Sequence, residues 1–212
     1  MDRAQIIVVR HGETTWNLEG RRQGHLDSPL TARGIAQAES LARRLKKFTF
    51  KALYSSDLGR ACRTAEIIAN TTGHKVTVDE RLRERNLGIF QGLHTEEIRQ
   101  AHPEAYRLHT TLGPDYVIPS GESMRQQVER NIRCLEEIAQ KHLGETIVVV
   151  THVGVLSGLF RHTLSIPFQA PRRFEFRNAS INIFTYQNQG FWVLQTWGDT
   201  GHLDAPELGD GL

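Results

Sequence analysis

The chain has 212 residues, 39% of them hydrophobic and 24% charged, which supports a buried core and excludes disordered and low-complexity classes. Lys plus Arg number 26 and Asp plus Glu 24, a net charge of +2 that is too balanced for a polyanion binder. Of the cations, 21 are Arg and 5 are Lys. Arg grips phosphate and carboxylate in a fork geometry that Lys lacks, although an Arg-rich composition alone would give the same count.

Residues 5–9 are apolar and rich in β-branched types, as for a strand buried on both faces. Residues 31–47 read as a helix: Thr31 caps its start, Ile35, Ala38, Leu41, Ala42 and Leu45 form one stripe, and Lys46 and Lys47 suit its end. A strand at 52–55 leads into a helix over 57–72, with Asp57 as its cap and Gly73 as its stop, and 76–78 is a third strand. From Glu80 to Ser120 the period fades. A short helix fits 95–101, before Pro103, and 112–119 reads as loop, so a lid-like insertion is expected at about 93–120. Residues 122–141 form a helix with Val128, Ile132, Leu135 and Ile138 on one face. The strongest strand is 146–151, and 155–164 is a helix before Pro167. In the tail, 174–177, 180–186 and 191–197 read as strands, the last two an antiparallel hairpin through Asn188-Gln189-Gly190. The alternation predicts one α/β domain over 1–212: a doubly wound, mostly parallel sheet flanked by helices, with an antiparallel C-terminal edge.

No apolar run approaches the ~18–20 residues of a membrane span, and the opening residues lack a secretory apolar region. Cys62 and Cys134 lack metal or redox spacing and read as buried thiols. These features predict a soluble, cytoplasmic protein with no membrane partner. The Arg21-Arg22 pair lies near Glu19 and Asp27 without interleaved aromatics, so no nucleic-acid partner is expected. The edge hairpin, with Trp192 read as exposed, permits a homodimer.

In an open α/β sheet, ligands bind beyond the carboxyl ends of the strands. Here the first strand ends in Arg10-His11-Gly12-Glu13 and the strand at 146–151 in His152-Val153-Gly154. The strand at 52–55 leads to a helix with Arg60 in its first turn. Two imidazoles, two guanidiniums and a helix start make a pocket suited to a dianion. Taken singly, His11 or His152 is more often structural, Arg60 a solvated helix residue, and Glu84 in Arg81-Leu82-Arg83-Glu84-Arg85 a surface ion-pair partner. Occurring together at equivalent strand ends, the two histidines favour function. They lack metal-ligand spacing and an accompanying acidic cluster, so no metal is expected.

The first block, Arg10-His11-Gly12-Glu13, continues through Trp16-Asn17, Arg21-Arg22-Gln23-Gly24, Asp27-Ser28-Pro29-Leu30-Thr31 and Gly34. Ser55-Ser56-Asp57-Leu58 with Arg60 and Thr64-Ala65-Glu66, Leu82-Arg83-Glu84 with Gly88 and Gln91-Gly92, and Thr151-His152-Val153-Gly154 follow in order. These four blocks resemble those of the histidine phosphatase superfamily, the phosphoglycerate mutase-like family, over nearly the whole chain. The resemblance implies that His11 is the nucleophile and that Arg10, Arg60 and His152 hold the phosphate oxygens. It makes Glu84 the general acid and then the base, and has Asn17, Gln23 and Gly24 line the phosphate pocket, with Arg21 a further candidate. It implies no cofactor. Residues 198–204 resemble those of family members that act as phosphatases, and His202 matches the C-terminal His of the metal-independent phosphoserine phosphatases; their His before Gly88 is Leu87 here. The mutases carry an Arg-Arg pair and a Lys in the insertion, whereas this insertion has only Arg99 and Arg107. The expectation is therefore hydrolysis of a small phosphorylated metabolite through a phosphohistidine, with phosphoglycerate mutase as the alternative. A non-catalytic phospho-ligand binder would not need Glu84.

Overall fold

Strand β1 (Arg3–Arg10) lies inside a six-stranded sheet in the computed structural model, which describes residues 2–203. Met1 and Asp204, the end of the C-terminal motif, lie outside the described residues. After β1 come α1 (Thr15–Glu19), α2 (Ala32–Leu45), β2 (Ala52–Ser55), α3 (Gly59–Thr72) and β3 (Val76–Val78). Then follow α4 (Thr95–Ala101), α5 (Pro103–Leu112), α6 (Met124–Lys141), β4 (Thr146–Thr151), α7 (Val153–Thr163), β5 (Ile181–Gln187) and β6 (Phe191–Asp199). The sheet order is β3-β2-β4-β1-β5-β6. β3, β2, β4 and β1 run parallel, while β5 and β6 pair antiparallel at the other edge, as the alternation predicts.

Both faces are covered, which is why β1 and β4 are almost wholly apolar. Ile6, Val8, Ile147 and Val149 pack with α6 and α7, and Ile7, Val9, Val148 and Val150 pack with α2 and α3. The register sets Arg10 opposite Thr151. His11 and His152, each one residue further on, therefore leave the sheet side by side.

Several expectations are corrected. Asp57 does not cap α3; it pairs with Arg83, and the cap comes from Asp27, whose Oδ2 accepts from the Gly59 amide at 2.6 Å. Gly73 does stop α3, at φ 77° in the left-handed region. Residues 174–177 form no strand, because Phe174 and Phe176 turn into an aromatic cluster with Phe160 and Trp197. Pro103 begins a second helix of the insertion, α5, which extends to Leu112. Ile98 and Ile118 of the insertion form a small separate core with Leu87 and Phe90, which precede it. Trp192 is buried against Tyr186, at 5% exposure; the alternation of β6 turns Phe191 outward instead. No helix among the described residues is long and apolar enough to cross a membrane.

Candidate active site

The carboxyl ends of β1, β2 and β4 converge under a cavity of about 580 Å³ whose wall includes Arg10, His11, Arg60 and Glu84. His11 is 3% exposed, and its Nδ1 lies 2.8 Å from the Gly12 carbonyl. A carbonyl only accepts, so Nδ1 carries the proton and Nε2 keeps the lone pair. Burial, reinforced by the charges of Arg60 and Arg10, holds the His11 pKa well below the usual imidazole value, against the opposing pull of the Gly12 carbonyl. His11 is thus a neutral imidazole with a fixed tautomer.

Arg10 donates from Nη1 to the Phe176 carbonyl at 2.8 Å. Arg60 is clamped by three acceptors: the carbonyls of Leu26 (2.9 Å) and Gly24 (2.8 Å) and Oδ1 of Asp27 (2.8 Å). His152 is fully buried, its ring centroid 5.3 Å from that of His11, and its Nε2 meets Ser56 Oγ at 2.9 Å. Burial first, then the Arg60 charge, lower its pKa well below the usual imidazole value. Arg60 Nε and His152 Nδ1 are buried without a hydrogen-bond partner. Such nitrogens are costly to leave unsatisfied, and phosphate oxygens would satisfy them.

Glu84 follows Leu82, which is buried in the core, and its carboxylate accepts three N–H groups. Oε1 takes the Arg85 amide (2.7 Å) and Gln127 Nε2 (3.0 Å); Oε2 takes the Gly154 amide (2.9 Å) at the start of α7. Oε2 is the less occupied oxygen, the one with room for a transferable proton. Gln127 of α6 carries no sequence signal for this role, since its spacing looks like one more position on a helix face.

Asn17, Gln23 and Gly24 line the same cavity. Asn17 Oδ1 accepts from the Thr14 amide (3.2 Å), and Gln23 donates to Thr14 Oγ1 (2.9 Å), so one threonine aligns both. Arg21 reaches the cavity wall, but its guanidinium is spent on Glu19 (3.1 Å), Glu97 (3.0 Å) and the Gly92 carbonyl (2.8 Å), which ties the insertion to the core. His202 is not among the lining residues; it bonds the Ala179 carbonyl at 3.1 Å. Arg99 and Arg107 are exposed and pair with Glu96 and Glu104 of their own helices. Sequence reasoning missed Asp27 and Asn178 as positioning groups. Asn178 donates to the His11 carbonyl at 2.9 Å, from a segment that resembles no strand or helix signal. Among the described residues no group of three or more His, Cys, Asp or Glu side chains forms a metal-binding set.

A mostly parallel α/β sheet thus carries two histidines and two arginines at its carboxyl edge. The chain belongs to the histidine phosphatase superfamily, branch 1, whose family model matches residues 6–200. It is 43% identical over 207 residues to "Phosphoglycerate mutase-like protein 4" of Arabidopsis thaliana, covering 96% of this chain and 89% of that one. Among solved structures it is similar to Bacillus stearothermophilus YhfR, with a TM-score of 0.85, 35% identity, and 95% and 100% of the two chains covered. It is also similar to a mycobacterial glucosyl-3-phosphoglycerate phosphatase, with a TM-score of 0.80, 30% identity, and 94% and 99% covered.

Proposed function

We propose that this chain hydrolyses phosphomonoesters of small metabolites without a metal, through a phosphohistidine at His11. The observation that carries the reading is the His11 hydrogen bond to the Gly12 carbonyl, which leaves Nε2 as an unprotonated nucleophile between two arginines. Nε2 attacks phosphorus as the P–O bond to the leaving alcohol breaks, and Glu84 gives its proton to the departing oxygen. Water then attacks the phosphorus, its proton passes to Glu84, and the P–N bond breaks to restore His11. Arg10, Arg60 and His152 hold the equatorial oxygens, where the charge of the transition state spreads. A neutral nucleophile and two short displacements replace one difficult attack by water.

Hydrolysis is favoured over phosphoryl shuttling because the insertion offers no arginine toward the cavity: Arg99 and Arg107 are exposed and paired. The test is hydrolysis of p-nitrophenyl phosphate with and without EDTA, together with trapping of acid-labile, protein-bound phosphate. Turnover that survives EDTA, with label lost in His11→Ala, is the expected result. Turnover abolished by EDTA, or label that persists in His11→Ala, overturns the proposal. Conversion of 3-phosphoglycerate to its 2-isomer without phosphate release would make the chain a mutase instead.

A further inference from the structure

His11 and His152 leave the sheet side by side, yet they are held by different kinds of partner. Nδ1 of His11 meets a carbonyl, which can only accept. Nε2 of His152 meets a hydroxyl, Ser56 Oγ at 2.9 Å, which can donate or accept. The direction of that hydrogen bond fixes where the His152 proton sits, and so what this buried ring can offer a phosphate. Burial and the Arg60 charge hold the His152 pKa well below the usual imidazole value, so at neutral pH the ring carries one N–H and one lone pair.

The hydrogen bonds around Ser56 give the direction. Ser56 is fully buried on the turn between β2 and α3. Its amide donates to the Val150 carbonyl at 3.0 Å, and its carbonyl accepts from Ser55 Oγ (2.8 Å) and from the Cys62 thiol (3.2 Å). Its hydroxyl oxygen already accepts from the Leu58 amide at 3.3 Å, and its other hydrogen-bond partner among the described residues is His152. If Nε2 carried the proton, that oxygen would accept twice and the hydroxyl hydrogen would be buried with no acceptor. Nδ1 of His152, which is buried without a partner, would then hold a lone pair that a phosphate oxygen, itself an acceptor, cannot satisfy. With the hydroxyl donating to Nε2, the hydroxyl and Nε2 are both satisfied. The one group left over is the Nδ1 N–H, and a phosphate oxygen is its complement.

We propose that Ser56 is a positioning residue of the phosphoryl site: its hydroxyl donates to His152 Nε2 and so fixes the tautomer that presents Nδ1–H to a phosphoryl oxygen. This rests on the reading of the His11 site as a phosphatase. The two histidines then share one tautomer and use opposite ends of it. His11 keeps the Nε2 lone pair for attack on phosphorus, and His152 offers Nδ1–H to an equatorial oxygen. A neutral donor serves here because Arg10 and Arg60 already supply the positive charge, and an imidazolium beside them would be repelled.

¹⁵N NMR of the full chain at neutral pH tests the tautomer without turnover. The expected result is a protonated-type shift at His152 Nδ1 and an unprotonated-type shift at Nε2, with part of the proton moving to Nε2 in Ser56→Ala. Kinetics on p-nitrophenyl phosphate test the role. Ser56→Ala should lower kcat by on the order of 10- to 10²-fold, toward the loss of a whole oxyanion donor. In a His152→Ala background the same substitution should change kcat less than about twofold, because Ser56 acts through that ring. A wild-type proton at Nε2, an unchanged kcat in Ser56→Ala, or an equal fall in both backgrounds overturns the inference and leaves the phosphatase reading intact. No turnover by wild type overturns both.

Discussion

The hydrogen at Gly154 is required for the position of Glu84, the proposed general acid, and Gly154→Ala tests that role directly. A methyl carbon built there would sit 2.9 Å from the Glu84 carboxyl carbon, and closer still to Glu84 Oε1 and Gln127 Nε2. Carbon pairs are most favourable at about 3.5–4.0 Å, so the carboxyl must retreat by about 0.6–1.1 Å. Both clashing groups are side-chain ends, so the fold accommodates the methyl while Glu84 loses its place. A displacement of about 1 Å costs on the order of 10²-fold in rate. The loss should depend on the leaving group. An alkyl alkoxide needs the proton of Glu84, whereas p-nitrophenolate departs without one. Steady-state kinetics on glycerol 3-phosphate and p-nitrophenyl phosphate, with thermal unfolding as the folding control, should show roughly a 10²-fold fall in kcat for the first and only a few-fold fall for the second. Equal falls for both substrates, or no fall for either, would refute the assignment of Glu84 as the positioned acid.

Acid should destabilise the protein through its two buried histidines. Folded His11 and His152 have lowered pKa values, so below about pH 6.5 the unfolded chain takes up protons that the native state refuses, and stability drops as pH falls. For two such groups the loss between pH 6 and pH 5 is at most about 2.5 kcal/mol, the limit set by the unfolded pKa; urea melts of His11→Asn/His152→Asn should show a shallower pH slope than wild type, and an unchanged slope counts against the assignment. Replacing Arg60 by Gln removes the second-largest cause of the His11 shift, so ¹⁵N NMR should find the imidazole protonating at higher pH than in wild type; an unmoved titration means that burial and Arg10 account for it without Arg60. Asp27→Ala should cost about 2 kcal/mol in denaturant melts. About 1 kcal/mol comes from the lost cap of α3 and about 1 from the partly exposed ion pair with Arg60, and a loss below about 0.5 would show the cap to be idle.

The centre of the sheet was legible because its residues have only one way to be buried. Ile6 to Val9 and Ile147 to Val150 are apolar at every position, which fits a strand covered on both faces and nothing exposed. Element ends were legible where one residue suffices, as at Thr31, whose Oγ1 accepts from Gly34 at 2.9 Å, and at Gly73. Expectations failed where a residue's partner lies far along the chain. Asp57 has the right type and place to cap α3, but Arg83 claims it, and the cap comes from 32 residues earlier. Phe174 and Phe176 alternate as a strand would, yet the Phe176 carbonyl holds Arg10 and both rings join the cluster around Trp197.

The site divides along the same line. His11, Arg10, Arg60 and His152 were legible because topology delivers strand ends to one edge, and strand ends can be read from local pattern. What holds them was not legible. Arg60 is aimed by the carbonyls of Leu26 and Gly24, Arg10 by that of Phe176, and the His11 tautomer by that of Gly12. A carbonyl belongs to every residue type, so no motif marks it. These carbonyls, together with the Asp27 carboxylate on Arg60, are acceptors that offset part of the desolvation of two guanidiniums set beside a buried imidazole. The charges that remain to be answered are then those for which the chain offers neither acid nor carbonyl. By that criterion Arg22, Arg85 and Arg172 stand apart from the other arginines of the cavity among the described residues, while the insertion's own arginines pair with its own acids.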